Sequence, residues 1–354
     1  MHPRRAFVLS LLASPGLAAS AMDATLRFPA DFGAHPQSRI EWWYITGALE
    51  AATRTWGFQI TFFRAATGIE DAERSRFTAR QIVFAHAAVT DLDQRRLRHD
   101  QRIARAGFGI AATATSDTDL ALRDWRMKRS DVQGRSRYVT SAASETGGFA
   151  FDLVLDATQP VLLQASAGVS RKGPLAEQTS RYYSQPQLRV GGSLRIDGRA
   201  VDVAGRAWLD HEWSDAYLAA EAVGWDWVGM NLDDGGALMA FRIRRRDGSV
   251  HWSGGSHRPA GGATRNFAPD EVGFEAGRTW QSPSSQARYP VEWRLTTPVG
   301  SFGVRSLLDD QELDSRGSTG AIYWEGLSLL EDGQGRRVGR GYLEMTGYAA
   351  KLVL

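Results

Sequence analysis

The chain has 354 residues, 43% of them hydrophobic and 23% charged, with 42 lysines and arginines against 40 acids. Its arginines are scattered among acids, as in "RDWRMKRSDVQGR", so no basic block offers itself to a nucleic-acid backbone. The lack of any cysteine excludes disulfides, thiol catalysis and thiolate metal sites, and no apolar run is long enough to cross a membrane as a helix.

Residues 1–21 read as an export signal: "MHPRR" is a basic start, "AFVLSLLA" an apolar segment and "AASA" a small-residue cleavage region. "PRRAFVL" also has the form of a twin-arginine signal, although Pro3 stands where Ser or Thr is usual. The expectation is a soluble exported protein, periplasmic or secreted. Its removal takes away Arg4 and Arg5 and no acid, leaving 40 basic against 40 acidic residues.

From there on, period-two alternation of apolar residues predicts half-buried strands in segment after segment. In "EWWYITG", Trp42 and Tyr44 share one face, with Trp43 and Glu41 on the other. "WGFQITFF" and "FAFDLVLD" follow, and residues 168–185 lack a period and read as a long loop in which Tyr182 and Tyr183 suit an apolar ligand. "GRAWLDHEWS" then puts Trp208, Asp210 and Glu212 on one strand face and Leu209, His211 and Trp213 on the other. In "GWDWVGM", Trp225 and Trp227 share a face while Asp226 points away. "LMAFRIR" and "VEWRL" continue the alternation. Asp-Gly pairs at 197–198, 234–235, 247–248 and 332–333 supply tight hairpin turns between such segments.

"EWWYITGALEAATRTWGFQI" and "GWDWVGMNLDDGGALMAFRI" align without gaps, pairing Trp42 with Trp225, Tyr44 with Trp227, Leu49 with Leu232, Phe58 with Phe241 and Ile60 with Ile243. This echo predicts an N-terminal β domain over 22–222 and a second over 223–354.

The chemistry these residues permit is narrow. No G-x-S-x-G nucleophile turn occurs. His35, His86, His99, His211, His251 and His257 form no His-x-His or His-Glu-x-x-His spacing, and an extended Asp210-His211-Glu212 divides its side chains between two faces, so no metal site is expected. Two carboxyls on one strand face beside an indole can repel each other and resist ionisation, which suits a general acid. The alternation leaves open whether that face looks into a pocket or out to water.

"HPQSRIEWWYITGAL", "GRAWLDHEWS", "GWDWVGMNLDDG", "IYWEG" and "GRGYLEMTGY" together resemble the secreted family that includes carotenoid 1,2-hydratases and fungal kievitone hydratases. The resemblance implies an all-β fold of two lipocalin-like antiparallel barrels packed against each other, with a ligand pocket near their interface. It also implies cofactor-free, acid-driven addition of water to an alkene of an apolar isoprenoid or lipid-like substrate, with Asp210 as proton donor. His211 or Glu212 would then tune that acid or orient water. Trp43, Trp208, Trp213, Trp225 and Trp227 would line the pocket, with Tyr44 and Tyr323 as further wall residues. A different reading keeps the pocket and drops the chemistry, making the chain an exported carrier of a hydrophobic ligand that meets a membrane or a transport system in passing.

Overall fold

The computed structural model describes residues 25–69, 75 and 77–352, and the expected export signal at 1–21 lies outside them. The described residues contain no α-helix, only two short 3-10 turns and a succession of strands. The fold is all-β.

The first sheet runs Arg96–Arg105, Gln81–Asp91, Arg54–Ala66, Ile40–Ala51, Arg199–Ser214, Thr179–Ile196, Phe149–Asp156, Arg135–Ser144, Trp125–Val132, Asp119–Leu122 and Ala111–Thr113. Asp119–Leu122 comes back against Gln81–Asp91 and Arg96–Arg105, so the sheet nearly closes into a barrel. A second sheet runs Arg265–Phe267, Val250–Arg258, Ala237–Arg245, Ala222–Leu232, Arg337–Met345, Ala321–Glu331, Gly300–Ser306, Glu292–Thr297 and Gly273–Ala276. All pairings are antiparallel.

Both sheets are built in the same order. Ile40–Ala51 lies between its successor, Arg54–Ala66, and the last long strand of its sheet, Arg199–Ser214. Ala222–Leu232 lies likewise between Ala237–Arg245 and Arg337–Met345. The two stretches that echo one another in sequence thus occupy equivalent places. The four Asp-Gly pairs all fall in short connections between neighbouring strands, and Asp197 and Gly198 both take positive φ, 48° and 79°.

The 168–185 segment is less of a loop than its composition suggests. Val169–Arg171 and Thr179–Ile196 are paired strands within it, leaving only 172–178 irregular. Strand pairing had no clean alternation to announce it, because Tyr182 and Tyr183 are both buried on opposite faces.

Alternation divides the apolar residues among three large clusters and a small fourth one of Ala88, Leu313 and Tyr323. Trp43, Ile45 and Phe58 fill the first barrel, and Val228, Met230, Trp324 and Leu343 the inside of the second sheet. The third cluster lies between the sheets, where Tyr44, Tyr182 and Trp208 meet Trp227, Phe241 and Tyr342. Polar ties cross the same seam: Thr90 Oγ1 donates to Gln311 Oε1 at 2.8 Å, and the Gln187 N–H to Asn231 Oδ1 at 2.6 Å. At Gly57 the sheets come so close that a Cβ would stand 2.6 Å from the Tyr342 hydroxyl.

Candidate active site

A cavity opens in this seam, with about 840 Å³ of space between its atoms, mouth included. The first sheet contributes two adjacent rows of side chains. In one, Ser184, Asp210, Tyr44, Thr61 and His86 stand side by side on successive strands. In the other, Tyr182, Glu212, Trp42, Phe63 and Phe84 do the same. The second sheet faces them with Trp225, Trp227, Tyr323, Glu325 and Glu344.

Asp210 is 3% exposed and fully engaged. Its Oδ1 accepts from Ser184 Oγ at 2.5 Å and Trp208 Nε1 at 2.7 Å, while Oδ2 accepts from the Tyr182 hydroxyl at 2.6 Å. Trp227 Nε1 donates in turn to Tyr182 at 3.1 Å, so a hydrogen-bonded chain crosses from the second sheet to the acid. Burial pushes the Asp210 carboxyl up to about 7, against the pull of its three donors and with some help from Glu212. A carboxyl so poised holds a proton near neutrality and can give it up.

Glu212, beside it, is arranged differently. Lys172 Nζ lies 2.7 Å from Glu212 Oε1, the two side chains being 1% and 4% exposed, and Ser180 Oγ also donates to that carboxylate. Burial raises its pKa and Lys172 opposes the shift. The ammonium sits over the rings of Phe241, Tyr182 and Tyr217 at 4.4, 4.9 and 5.0 Å, walls that stabilise a cation. Lys172 comes from the short irregular segment and ties it to Glu212.

The other face of "GRAWLDHEWS" looks into the first barrel, and the expected roles of three residues change accordingly. His211 does not reach the cavity: its Nε2 donates to Glu41 Oε1 at 2.9 Å, its Nδ1 accepts from the Tyr183 hydroxyl at 3.0 Å, and Trp43 stacks on it at 4.4 Å. Burial lowers His211 to about 4, although Glu41 raises it, so the imidazole is neutral. Trp43 and Trp213 are likewise no pocket walls. Trp43 Nε1 donates to the Phe32 carbonyl at 3.1 Å and Trp213 stacks on His35 at 3.7 Å. The physical reason is the strand period, which turns both tryptophans away from Asp210. Trp208 shares the Asp210 face but stands behind the acid, holding Oδ1 and packing edge-on against Trp227 at 6.2 Å. Tyr44, Glu212, Trp225, Trp227 and Tyr323 do line the cavity with Asp210.

Sequence spacing also hid a convergence inside the first barrel. Donor atoms of His35, Glu41 and His211 lie within 4.8 Å of one another, a spacing that could hold a metal ion. Those atoms already satisfy each other: His35 Nδ1 is 2.7 Å from Glu41 Oε1, and Arg64 Nε donates to Glu41 Oε2 at 2.8 Å. Burial alone would raise Glu41, yet hydrogen bonds from His211 and His35 outweigh it and hold the carboxyl down to about 2. With Arg64 supplying the counter-charge, the cluster reads as a buried ion-pair network that braces the strand behind Asp210.

Trp42, which the alternation puts on the face of Tyr44, lines the cavity too and meets Tyr217 edge-on at 4.9 Å; spacing did not reveal Tyr217, which meets Trp225 at 5.4 Å. His86 bonds Tyr323 across the seam at 2.8 Å and is lowered by burial to about 3, hence neutral. Lys172, Glu325 and Glu344 each stand alone in sequence, and only the packing of the sheets brings them to the acid.

The family model described as AttH-like matches residues 19–348. The crystal structure of an AttH protein from Nitrosomonas europaea is 47% identical, superposes with a TM-score of 0.86, and covers 94% of this chain and 100% of its own. Kievitone hydratase of Fusarium solani subsp. phaseoli is 26% identical over 236 residues, which span 65% of this chain and 65% of that protein's length. The structure of kievitone hydratase from Nectria haematococca shares the fold, with a TM-score of 0.71 at 16% identity over 92% of this chain and 94% of its own.

Proposed function

The chain belongs to the AttH-like family, and on that premise we propose that it is an acid-catalysed hydratase that adds water to an alkene of an apolar, isoprenoid or lipid-like molecule. What supports the reading is one observation: a buried carboxyl, Asp210, held near a pKa of 7 on the wall of an aromatic cavity.

The chemistry follows from the surroundings. Asp210 gives its proton to one alkene carbon, and the more substituted neighbour becomes cationic. Trp42, Trp225, Trp227 and Tyr44 present ring faces and edges around the space where that charge develops, and aromatic quadrupoles favour it. Water then captures the cation. Tyr182, Ser184 and Trp208 hold the carboxylate left behind, so proton loss costs less than it would from a bare carboxyl in the same dry place.

Kievitone is the first probe to try, because the curated relative is named for it; an acyclic carotenoid is the second, on the sequence resemblance. We place the enzyme outside the cytoplasm on the strength of residues 1–21 alone. The test is to incubate purified protein with each probe in isotopically heavy water and follow the mass of the product. Product heavier by one labelled water, lost in Asp210→Asn, supports the reading. Probe that binds tightly and returns unchanged from the wild-type protein overturns it in favour of a carrier.

A further inference from the structure

Two of the family-like stretches, "IYWEG" and "GRGYLEMTGY", each bring one acid to the cavity that the mechanism above leaves unused. Glu325 and Glu344 face one another directly across neighbouring antiparallel strands, a pairing that puts their Cβ atoms about 5 Å apart. Both line the cavity. Glu325 is 2% exposed, and its Oε1 makes no hydrogen bond. Glu344 keeps part of its surface open to the cavity space. Among the described residues neither carboxyl has an ion-pair partner, in contrast to Glu212 with Lys172.

The position of the pair is as telling as its composition. In the first sheet Tyr44 stands opposite Asp210; in the second, Trp227 stands opposite Glu344. Tyr44 and Trp227 are equivalent in the repeated stretch, so Asp210 and Glu344 are equivalent residues of the two sheets, presented from the two walls of one cavity. Beyond Glu344 lies Glu325 where the first sheet has Ser184. The buried Tyr44 hydroxyl approaches Glu325 from the first sheet and pulls its pKa down, although it stops short of a well-formed hydrogen bond.

We propose that Glu325 and Glu344 form a second acid-base group, a carboxyl pair sharing one proton, which receives the proton of the attacking water after Asp210 has protonated the alkene. The proposal rests on the alkene-hydration reading. An unpartnered buried carboxyl oxygen is costly, and the fold gains nothing from this one, whereas a water held between it and a cation would satisfy it. Two carboxylates this close with no cation between them cannot both ionise. Burial raises both. The charge of Glu344 adds to the pressure on Glu325 against a pull from Tyr44, and Asp210, Glu212 and Asp226 press on Glu344 against a hydrogen bond from Trp225, with the neutral Tyr323 and Tyr342 completing the surroundings.

The step balances. The Asp210 O–H bond and the alkene π bond break as a C–H bond forms. A water lone pair then makes the C–O bond, and the proton released from that water goes to the ionised oxygen of the pair. One water has been added, the pair holds one proton more and Asp210 one fewer. Transfer from the pair to Asp210 through cavity water on product release restores the start.

Glu344→Gln and Glu325→Gln separate the two proton transfers when wild type and variants are given kievitone in deuterated water. Asp210→Asn is expected to lose both deuterium uptake into unreacted kievitone and water addition. The glutamine variants are expected to keep the uptake, which needs only Asp210, and to lose roughly 100-fold or more in water addition. Hydration at the wild-type rate in both glutamine variants overturns the proposal, as does parallel loss of uptake and hydration. Infrared spectra without any probe give a second readout: a protonated-carboxyl band at neutral pH should weaken in either variant. An unchanged band overturns proton sharing while leaving the alkene reading intact. Wild-type protein that neither takes up deuterium nor adds water overturns the alkene reading, and the water-activating role falls with it.

Discussion

Lys172 and Glu212 form an ion pair at 2.7 Å with almost no solvent on either partner, and it is the residue next to the acid-bearing row that is neutralised in this way, not the acid itself. Lys172→Met should therefore leave a buried carboxylate unmatched and cost about 3–5 kcal/mol. Chemical denaturation measures this, and the double variant Lys172→Met with Glu212→Gln should regain most of the loss. A single variant as stable as wild type would contradict the burial.

On the proposed mechanism Asp210 acts only while protonated, and burial puts its pKa near 7. The value of kcat/KM for probe hydration should fall about tenfold per unit above that pH, and fall again in acid where the Glu325–Glu344 pair takes up its second proton. Below pH 7 Asp210→Asn should lose on the order of 10²- to 10⁴-fold, and its deficit relative to wild type should shrink above that pH. A rate that rises through neutrality would mean that the group acts as a base.

Stability carries the same signature with a definite sign. The folded pKa of Asp210 lies above its ordinary 3.8, so its contribution is fully present below that value and is lost as pH rises through 7. Asparagine does not titrate. The stability of Asp210→Asn relative to wild type should thus improve between pH 4 and pH 7, by about 4 kcal/mol at most. Denaturation midpoints across that range check it, and a constant difference would show that the carboxyl is hydrated.

Glu41 should behave in the opposite sense. Its folded pKa of about 2 lies below the ordinary 4.5, so its stabilisation is present above 4.5 and is lost as pH falls towards 2. Glu41→Gln is expected to cost about 3 kcal/mol at neutral pH and progressively less in acid. Equal deficits at both ends would show that the loss does not come from the charge of the carboxylate.

The two faces of the strands give a contrast in binding. Trp225→Leu removes a cavity wall and should weaken binding of an apolar probe about tenfold, the effect of 1–2 kcal/mol of aromatic contact. Trp213→Leu, on the barrel side, should lower stability and leave affinity unchanged. Probe-induced quenching of tryptophan fluorescence distinguishes them.

How far the sequence foretold all this depends on distance along the chain. Period-two alternation and Asp-Gly turns are local, and they announced the strands, the hairpins and the face shared by Trp208, Asp210 and Glu212. Local reasoning also contained its own correction, since the period that put Asp210 on one face put Trp213 on the other. What it could not supply was the partner of each face. Lys172 reaches Glu212 across 40 residues, and Glu325 and Glu344 reach the cavity from the second sheet. The repeated stretch pointed towards Glu344, had it been extended from the opening strands to the closing ones, because Arg199–Ser214 and Arg337–Met345 occupy the same place in their sheets.

Gly57 touches none of the acids, yet its missing Cβ is what admits the Tyr342 hydroxyl and sets how deeply one sheet settles on the other. Any larger residue there acts as a wedge. Since the acids of the cavity are divided between the two sheets, the gap that a ligand would bridge is governed by such spacers, and under the proposed function the size of molecule accepted can be retuned from a position outside the cavity.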